Sequence, residues 1–203
     1  TSTFTVQFEG KKLGVITLQA PGIHNVKNAL AAIACGLEMG MEFNEIKTGL
    51  ERFEGVYRRF QLKYSNGVML IDDYAHHPTE IKVVLQGVKK VFNKHDKVCI
   101  FQPHRISRLN DLSNDFSKSF KNSDQVLLCP VYKAGEKIKL KFKYEKFARD
   151  ISKNSKTLVI MVNQKQDLVN FFKNNLKGNE IVIGMGAGSI SGWLKELKNF
   201  LKQ

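Results

Sequence analysis

Asp72, Asp73, Tyr74, His76 and His77 stand almost without a gap in one short stretch of the chain. Two carboxylates, a phenol and two imidazoles offer proton acceptors, proton donors and ligand contacts in one place. A helix cap would use one of the two aspartates. It would not account for five polar groups bunched behind a buried strand, so the stretch reads as a functional site. A second cluster is Gln102-Pro103-His104-Arg105-Ile106-Ser107-Arg108. Two arginines three residues apart beside a histidine suit an anion or a carboxylate. If the segment is helical, that spacing sets Arg105 and Arg108 on one face; the alternative is a basic loop in solvent. Arginine occurs only at 52, 58, 59, 105, 108 and 149, and four of these six fall in the pairs Arg58-Arg59 and Arg105/Arg108. Arginine here looks placed, while lysine looks like general surface.

The elements that position these residues follow from hydrophobic pattern. Val68 to Ile71 is a continuous apolar run after Asn66-Gly67, as expected of a strand buried on both faces. Pro78 then opens a helix, where its missing N–H has no partner to lose. The 72–77 cluster thus lies at the carboxyl edge of a strand, where open α/β sheets bind ligands. Val98 to Phe101 is a second buried strand with the 102–108 cluster at its carboxyl end. If the two strands are neighbours, both clusters border one crevice. Strands are expected at 61–65, 68–71, 97–102, 125–129, 157–161 and 180–184, and helices at 78–92, 109–121, 143–152, 165–176 and 189–201. That alternation implies a mainly parallel six-stranded sheet with helices on both faces.

Ahead of it, residues 3–8 and 13–19 alternate around Glu9-Gly10-Lys11-Lys12 and read as a β-hairpin. A helix rich in Ala and Leu follows from Ile23, with Asn25 as a plausible cap, and a second helix spans about 43–53. Asn28 falls in the first turn, where a ligand can approach outward-pointing backbone N–H groups. The alternative is that His24 and Asn25 merely cap the helix. Residues 55–60 read as extended, which would send Arg58 and Arg59 to opposite faces. The boundary between the first part and the α/β domain is expected near Phe60 to Lys63.

Composition narrows the function classes. The chain has 203 residues, 42% hydrophobic and 25% charged, the balance of an ordinary soluble globular chain. No apolar run approaches the roughly 20 residues of a membrane helix, so no membrane partner is expected. Cys35, Cys99 and Cys129 lie far apart in apolar segments and read as small buried hydrophobes in a reducing, cytoplasmic compartment. The net charge of +13 raises a basic nucleic-acid-binding module as an alternative. Scattered lysines argue against it, so no nucleic-acid partner is expected. Gly184-Met185-Gly186-Ala187-Gly188-Ser189 resembles part of a dinucleotide fingerprint, though a tight strand–helix turn explains it as well. No Gly-x-x-x-x-Gly-Lys-[Ser/Thr] phosphate loop occurs in these residues. The chain starts at Thr1 and reads as a fragment of a longer protein.

Four motifs carry a resemblance over the whole chain: Gly22-x-His24-Asn25-x-x-Asn28-Ala29-x-Ala31-Ala32, Gly55-Val56-x-Arg58-Arg59-Phe60, Asp72-Asp73-Tyr74-Ala75-His76-His77-Pro78-Thr79-Glu80, and Phe101-Gln102-Pro103-His104-Arg105-x-Ser107-Arg108. With them the chain resembles the Mur ligases, ATP-dependent amide-forming enzymes of peptidoglycan synthesis. The resemblance implies a Rossmann-like carboxyl-terminal Mur ligase domain at 61–203, preceded at 1–60 by the tail of a central ATP-binding domain. The UDP-binding domain, the phosphate loop and the Mg²⁺ ligands are then expected in missing domains of the same parent chain, which leaves the fragment alone inactive. ATP and Mg²⁺ are the implied cofactors, and UDP-N-acetylmuramate and L-alanine the implied substrates, joined through an acyl phosphate. A branch that returns a recycled tripeptide to the same sugar nucleotide is the near alternative; Tyr74 and Glu80 favour L-alanine.

By similarity, Asn28 would contact adenine, with His24 and Asn25 shaping that helix start. Arg59 would lie along the nucleotide and Asp73 would take the ribose hydroxyls. Tyr74, His76, His104, Arg105 and Arg108 would hold the muramoyl carboxylate, its acyl phosphate and the amino acid. His76, His104, Arg105 and Arg108 would be the catalytic members, stabilising concentrated negative charge. Ile106 departs from the Tyr usual in the family.

Overall fold

The computed structural model describes residues 1–20, 22–137 and 142–197, excluding the side chains of 62–66. The expected helix end at 198–201 lies outside the described residues. The chain divides into two compact units, Thr1–Tyr57 and Arg58–Gln203.

The first unit begins with β1 (Ser2–Phe8) and β2 (Lys11–Leu18), an antiparallel hairpin closed by Glu9 and Gly10. Two helices follow, α1 (Ile23–Glu38) and α2 (Phe43–Arg52). Alternate hairpin residues Val6, Ile16 and Leu18 pack on Ala29, Ile33 and Ile46. Asn25 is not the cap of α1. Gly22 holds that position without a side-chain hydrogen bond, and its carbonyl takes the N–H groups of Asn25 and Val26. Cys35 also departs from expectation: it is exposed, because the core side of α1 is the Ala29–Ile33–Gly36 stripe.

The second unit opens with β3 (Gln61–Asn66), antiparallel to β4 (Val68–Asp73). Then come α3 (Pro78–Val91), β5 (Asp96–Phe101), α4 (Ile106–Asp111), α5 (Ser113–Ser117) and β6 (Gln125–Leu128). The rest is α6 (Tyr144–Ser155), β7 (Leu158–Met161), α7 (Lys165–Asn175), β8 (Glu180–Met185) and α8 (Ile190–Leu197). The sheet order is β3-β4-β8-β5-β6-β7, with β4, β8, β5, β6 and β7 parallel. The expected 109–121 helix starts earlier, at Ile106, and is interrupted at Leu112.

Strand alternation builds two cores. Ile71, Cys99, Phe101, Ile181 and Ile183 face α3 and α6, with Leu85 and Ile151 against them. Leu70, Val98, Ile100 and Val182 face the other way, toward α7 and α8. Each such fully buried Leu or Ile contributes roughly 1.5–3 kcal/mol of transfer free energy. The half-buried Trp193 of α8 packs on this second core. Gly184 lets α8 come close: a Cβ there would sit 2.1 Å from Leu194 Cδ1. No helix of the described residues is long and apolar enough to cross a membrane.

Candidate active site

Parallel pairing brings four strand ends to one level. Asp73 pairs with Met185, Met185 with Phe101, and Phe101 with Leu128. The turns after β4, β8, β5 and β6 therefore share the carboxyl edge of the sheet. The 72–77 and 102–108 clusters do lie at one edge, but β4 and β5 are not neighbours. β8 runs between them, so the glycine-rich turn at 186–189 leaves the edge between the two strand ends, while the clusters still meet at His76 and His104.

The two aspartates are internal braces. Asp72 is fully buried, and accepts from Arg58 Nε at 3.4 Å and from the Ser191 hydroxyl. Asp73 is 3% exposed; its Oδ1 accepts the Ala75 N–H at 2.8 Å and its Oδ2 the Phe60 N–H at 2.8 Å. Burial raises its carboxyl above the usual range, against the pull of these two N–H groups and of Arg59. Neither aspartate caps α3. His77 does, its ring accepting the Thr79 N–H at 3.3 Å while Glu80 accepts from His76 N at 2.9 Å and His77 N at 3.1 Å. Partial burial pushes Glu80 up, yet the His76 and His77 N–H groups with the charges of His76 and Arg59 hold it below its ordinary value.

Residues 57–60 are not an extended strand. Arg58 and Phe60 take φ of 60° and 50°, so strand alternation does not apply to the arginine pair. Arg58 turns inward: its guanidinium donates to Gly186 O and lies 5.0 Å from the Tyr74 ring centre. Arg59 is exposed and acts by its charge on Asp73 and Glu80.

The start of α8 is already filled. Gln102 Oε1 accepts the Ile190 N–H at 3.0 Å, and Gln102 Nε2 donates to the Ser189 hydroxyl at 3.1 Å. Gly186, at φ 150°, would bring a Cβ to 2.7 Å from Gln102 O. The turn is a tight strand–helix junction, with a carboxamide where a dinucleotide fingerprint would hold phosphate.

A row of rings crosses the edge. Tyr74 and His76 meet edge to face at 5.2 Å, His76 and His104 at 5.6 Å, and His104 stacks on Tyr132 at 5.6 Å and 20°. His76 Nδ1 lies 2.9 Å from Tyr74 O. His104 is held below its ordinary pKa by burial first, then by His76, Arg108 and Arg105. Arg105 is the exposed N-cap of α4 and Arg108 is half-buried. His104 Nδ1 and Arg108 Nη1 are buried and find no hydrogen-bond partner among the described residues. Buried donors and acceptors are rarely left so without a ligand or water to meet them. The group has what an anion needs: two guanidiniums and an imidazole that is neutral at pH 7 and able to take a proton.

Asp73, Tyr74, His76, His104, Arg105 and Arg108 are thus brought to one edge, with Arg59 near Asp73. His24 and Asn28 are exposed and Asn25 half-buried on α1, in the first unit. Among the described residues no group of three His, Cys, Asp or Glu side chains is placed to hold a metal. Sequence reasoning missed Tyr132 and Glu136, and it quoted Arg58 and Gln102 within motifs without giving either its bracing role. Tyr132 and Glu136 follow the carboxyl end of β6, so the rule that found the first two clusters could have found them.

Residues 58–188 match the family model described as Mur ligase, glutamate ligase domain. The chain is 50% identical over 200 residues to a UDP-N-acetylmuramate–L-alanine ligase of Pelagibacter ubique, covering 97% of this chain and 43% of that protein. A ligase of the same name from Persephonella marina is 39% identical, with 97% of this chain and 43% of that protein covered. Among solved structures, the UDP-N-acetylmuramate–alanine ligase of Thermotoga maritima has a TM-score of 0.79 at 30% identity, over 98% of this chain and 43% of that one. A murein peptide ligase from Psychrobacter arcticus gives 0.77 at 25%, over 98% and 42%. The chain thus spans 43% of the length of the curated relatives it matches. With its four strand-end turns and the family model agreeing over most of its length, the chain belongs to the Mur ligase family.

Proposed function

We propose that this chain serves in an ATP-dependent ligase that joins L-alanine to the carboxylate of UDP-N-acetylmuramate, in the cytoplasm. The observation that carries the reading is the partnerless pair, His104 Nδ1 and Arg108 Nη1, beside Arg105 and the Tyr74–His76–His104 row. The match at 50% to a protein of that name supports L-alanine over a recycled tripeptide as the amine.

The residues suggest their roles. The carboxylate of the amino acid suits Arg105 and Arg108, which offer forked donors. Neutral His104 can take the proton from the α-ammonium, and the freed amine then attacks the activated acyl carbon as phosphate leaves. His76 and the arginines lower the energy of the oxyanion that forms. Tyr74, 39% exposed, stands in the same row of rings beside His76.

On this reading residues 1–60 complete a central ATP-binding domain and 61–203 form the Rossmann-like domain, with the UDP-binding part elsewhere in the parent protein. Each unit, taken by itself, offers groups that suit part of ATP. The exposed carboxamide of Asn28, near His24 and Asn25, suits an adenine edge, and exposed Arg59 suits phosphate. Asp73, the residue implied for the ribose hydroxyls, is 3% exposed and holds a backbone N–H on each oxygen, so its observed part is that of a brace. ATP with Mg²⁺, when bound, supplies the phosphoryl group that activates the carboxylate; the Mg²⁺ ligands belong to other parts of the parent.

The full-length protein is expected to release phosphate from ATP only when UDP-N-acetylmuramate and L-alanine are both present. Arg108→Ala is expected to lower kcat/KM for L-alanine by about 10²–10³. Unchanged turnover would remove Arg108 from the site, and preference for a tripeptide amine would move the protein to the recycling branch.

A further inference from the structure

The loop after β6 has no part in the reading above, yet it is bonded to the 103–107 segment along its course. The Tyr132 N–H donates to Pro103 O at 2.8 Å, and the Arg105 N–H donates to Tyr132 O at 2.9 Å. These two bonds form an isolated parallel bridge between His104 and Tyr132. Four residues on, Glu136 Oε2 accepts the Ile106 N–H at 2.6 Å and the Ser107 N–H at 3.4 Å, while Oε1 accepts the Ser107 hydroxyl. These bonds, the Ser107 hydroxyl first, hold the Glu136 carboxyl below its ordinary pKa, so it stays charged. Between the two anchor points Arg105 sits at φ 68°, left-handed backbone that arginine seldom adopts. Such a conformation persists only where surrounding bonds over-determine it.

We propose that Tyr132 and Glu136 are positioning residues for the amino-acid site: Tyr132 sets the plane of the His104 ring, and Glu136 fixes the start of α4, so that His104 and Arg108 present their partnerless nitrogens together. What binds there rests on the ligase reading; the positioning does not. Neither residue serves as an anion donor. Glu136 has the wrong sign, and Tyr132 acts through its ring face and backbone.

The test separates positioning from general loosening. His104 faces Tyr132, His76, Arg105, Arg108 and Glu136. Burial, His76 and the two arginines push its titration down, and Glu136 alone among these pushes it up. Glu136→Gln should therefore lower the His104 titration further. Tyr132→Ala opens one ring face to water and should raise it, while Tyr132→Phe should leave it in place. Histidine NMR on the full-length protein, with His104 assigned by His104→Gln, reads all three. In turnover assays KM for L-alanine should rise about tenfold or more in Tyr132→Ala and in Glu136→Gln, return in Tyr132→Phe, and leave KM for ATP unchanged. Should Tyr132→Ala not fold, Tyr132→Leu keeps bulk without a ring. An unmoved His104 titration, movement of both variants upward, or a parallel rise in KM for ATP would overturn the proposal. If the titrations move as stated while L-alanine is not a substrate, the ligase reading fails and the positioning stands.

Discussion

Arg58 ties three segments of the second unit: Asp72 at the end of β4, Gly186 after β8, and the Tyr74 ring. Asp72 has no exposed surface, so Arg58→Ala takes one charged partner from a buried carboxylate. The expected cost is about 3 kcal/mol, seen as a lower urea midpoint. Arg58→Lys should recover only part, because one ammonium cannot reach both acceptors as the fork does. The sequence marked Arg58-Arg59 as placed, but not which residue did what. Reading them as a strand put them on opposite faces, whereas a positive φ at Arg58 made one a brace and left the other outside. Glu80 allows a pH test. Its pKa is lower in the folded chain than in the unfolded one, so its contribution is present above about pH 4.5 and is lost as pH falls through the lowered value. Glu80→Ala should cost about 1 kcal/mol at pH 7, and the gap to the parent should close on acidification.

Elements were legible where a local pattern dictated them. Val68–Ile71 and Val98–Phe101 are apolar runs with no other economical reading, and Pro78 begins α3 as its ring requires. Strand order was not legible. β8 enters between β4 and β5 through pairings more than 80 residues apart in the chain, such as Phe101 with Met185, and no local signal records that. The same holds for Glu136 on the start of α4, thirty residues from Ile106. The interruption at Leu112 likewise escaped a reading based on periodicity, because both short helices present apolar residues, Leu109 and Phe116, to one core. Gly184 shows how tightly the elements meet. Gly184→Ala would place a Cβ 2.1 Å from Leu194 Cδ1 in a fully buried contact, so α8 must shift. An expected loss of about 1–3 kcal/mol should appear in thermal or urea unfolding.

The whole molecule is two units of unequal core. Among the described residues, six buried apolar ones serve Thr1–Tyr57, while the second unit has two clusters, one on each face of its sheet. A small core covers less of the surface its chain exposes when unfolded. The first unit is therefore expected to melt at lower temperature than the second. Far-ultraviolet circular dichroism sees helices and strands of both. Trp193, the one tryptophan in these 203 residues, belongs to α8 and packs on the second unit's core alone. Its fluorescence is thus a built-in reporter of that unit. A dichroism curve that falls before the emission shifts would resolve the two transitions without any added label, and coincident curves would mean the units unfold as one.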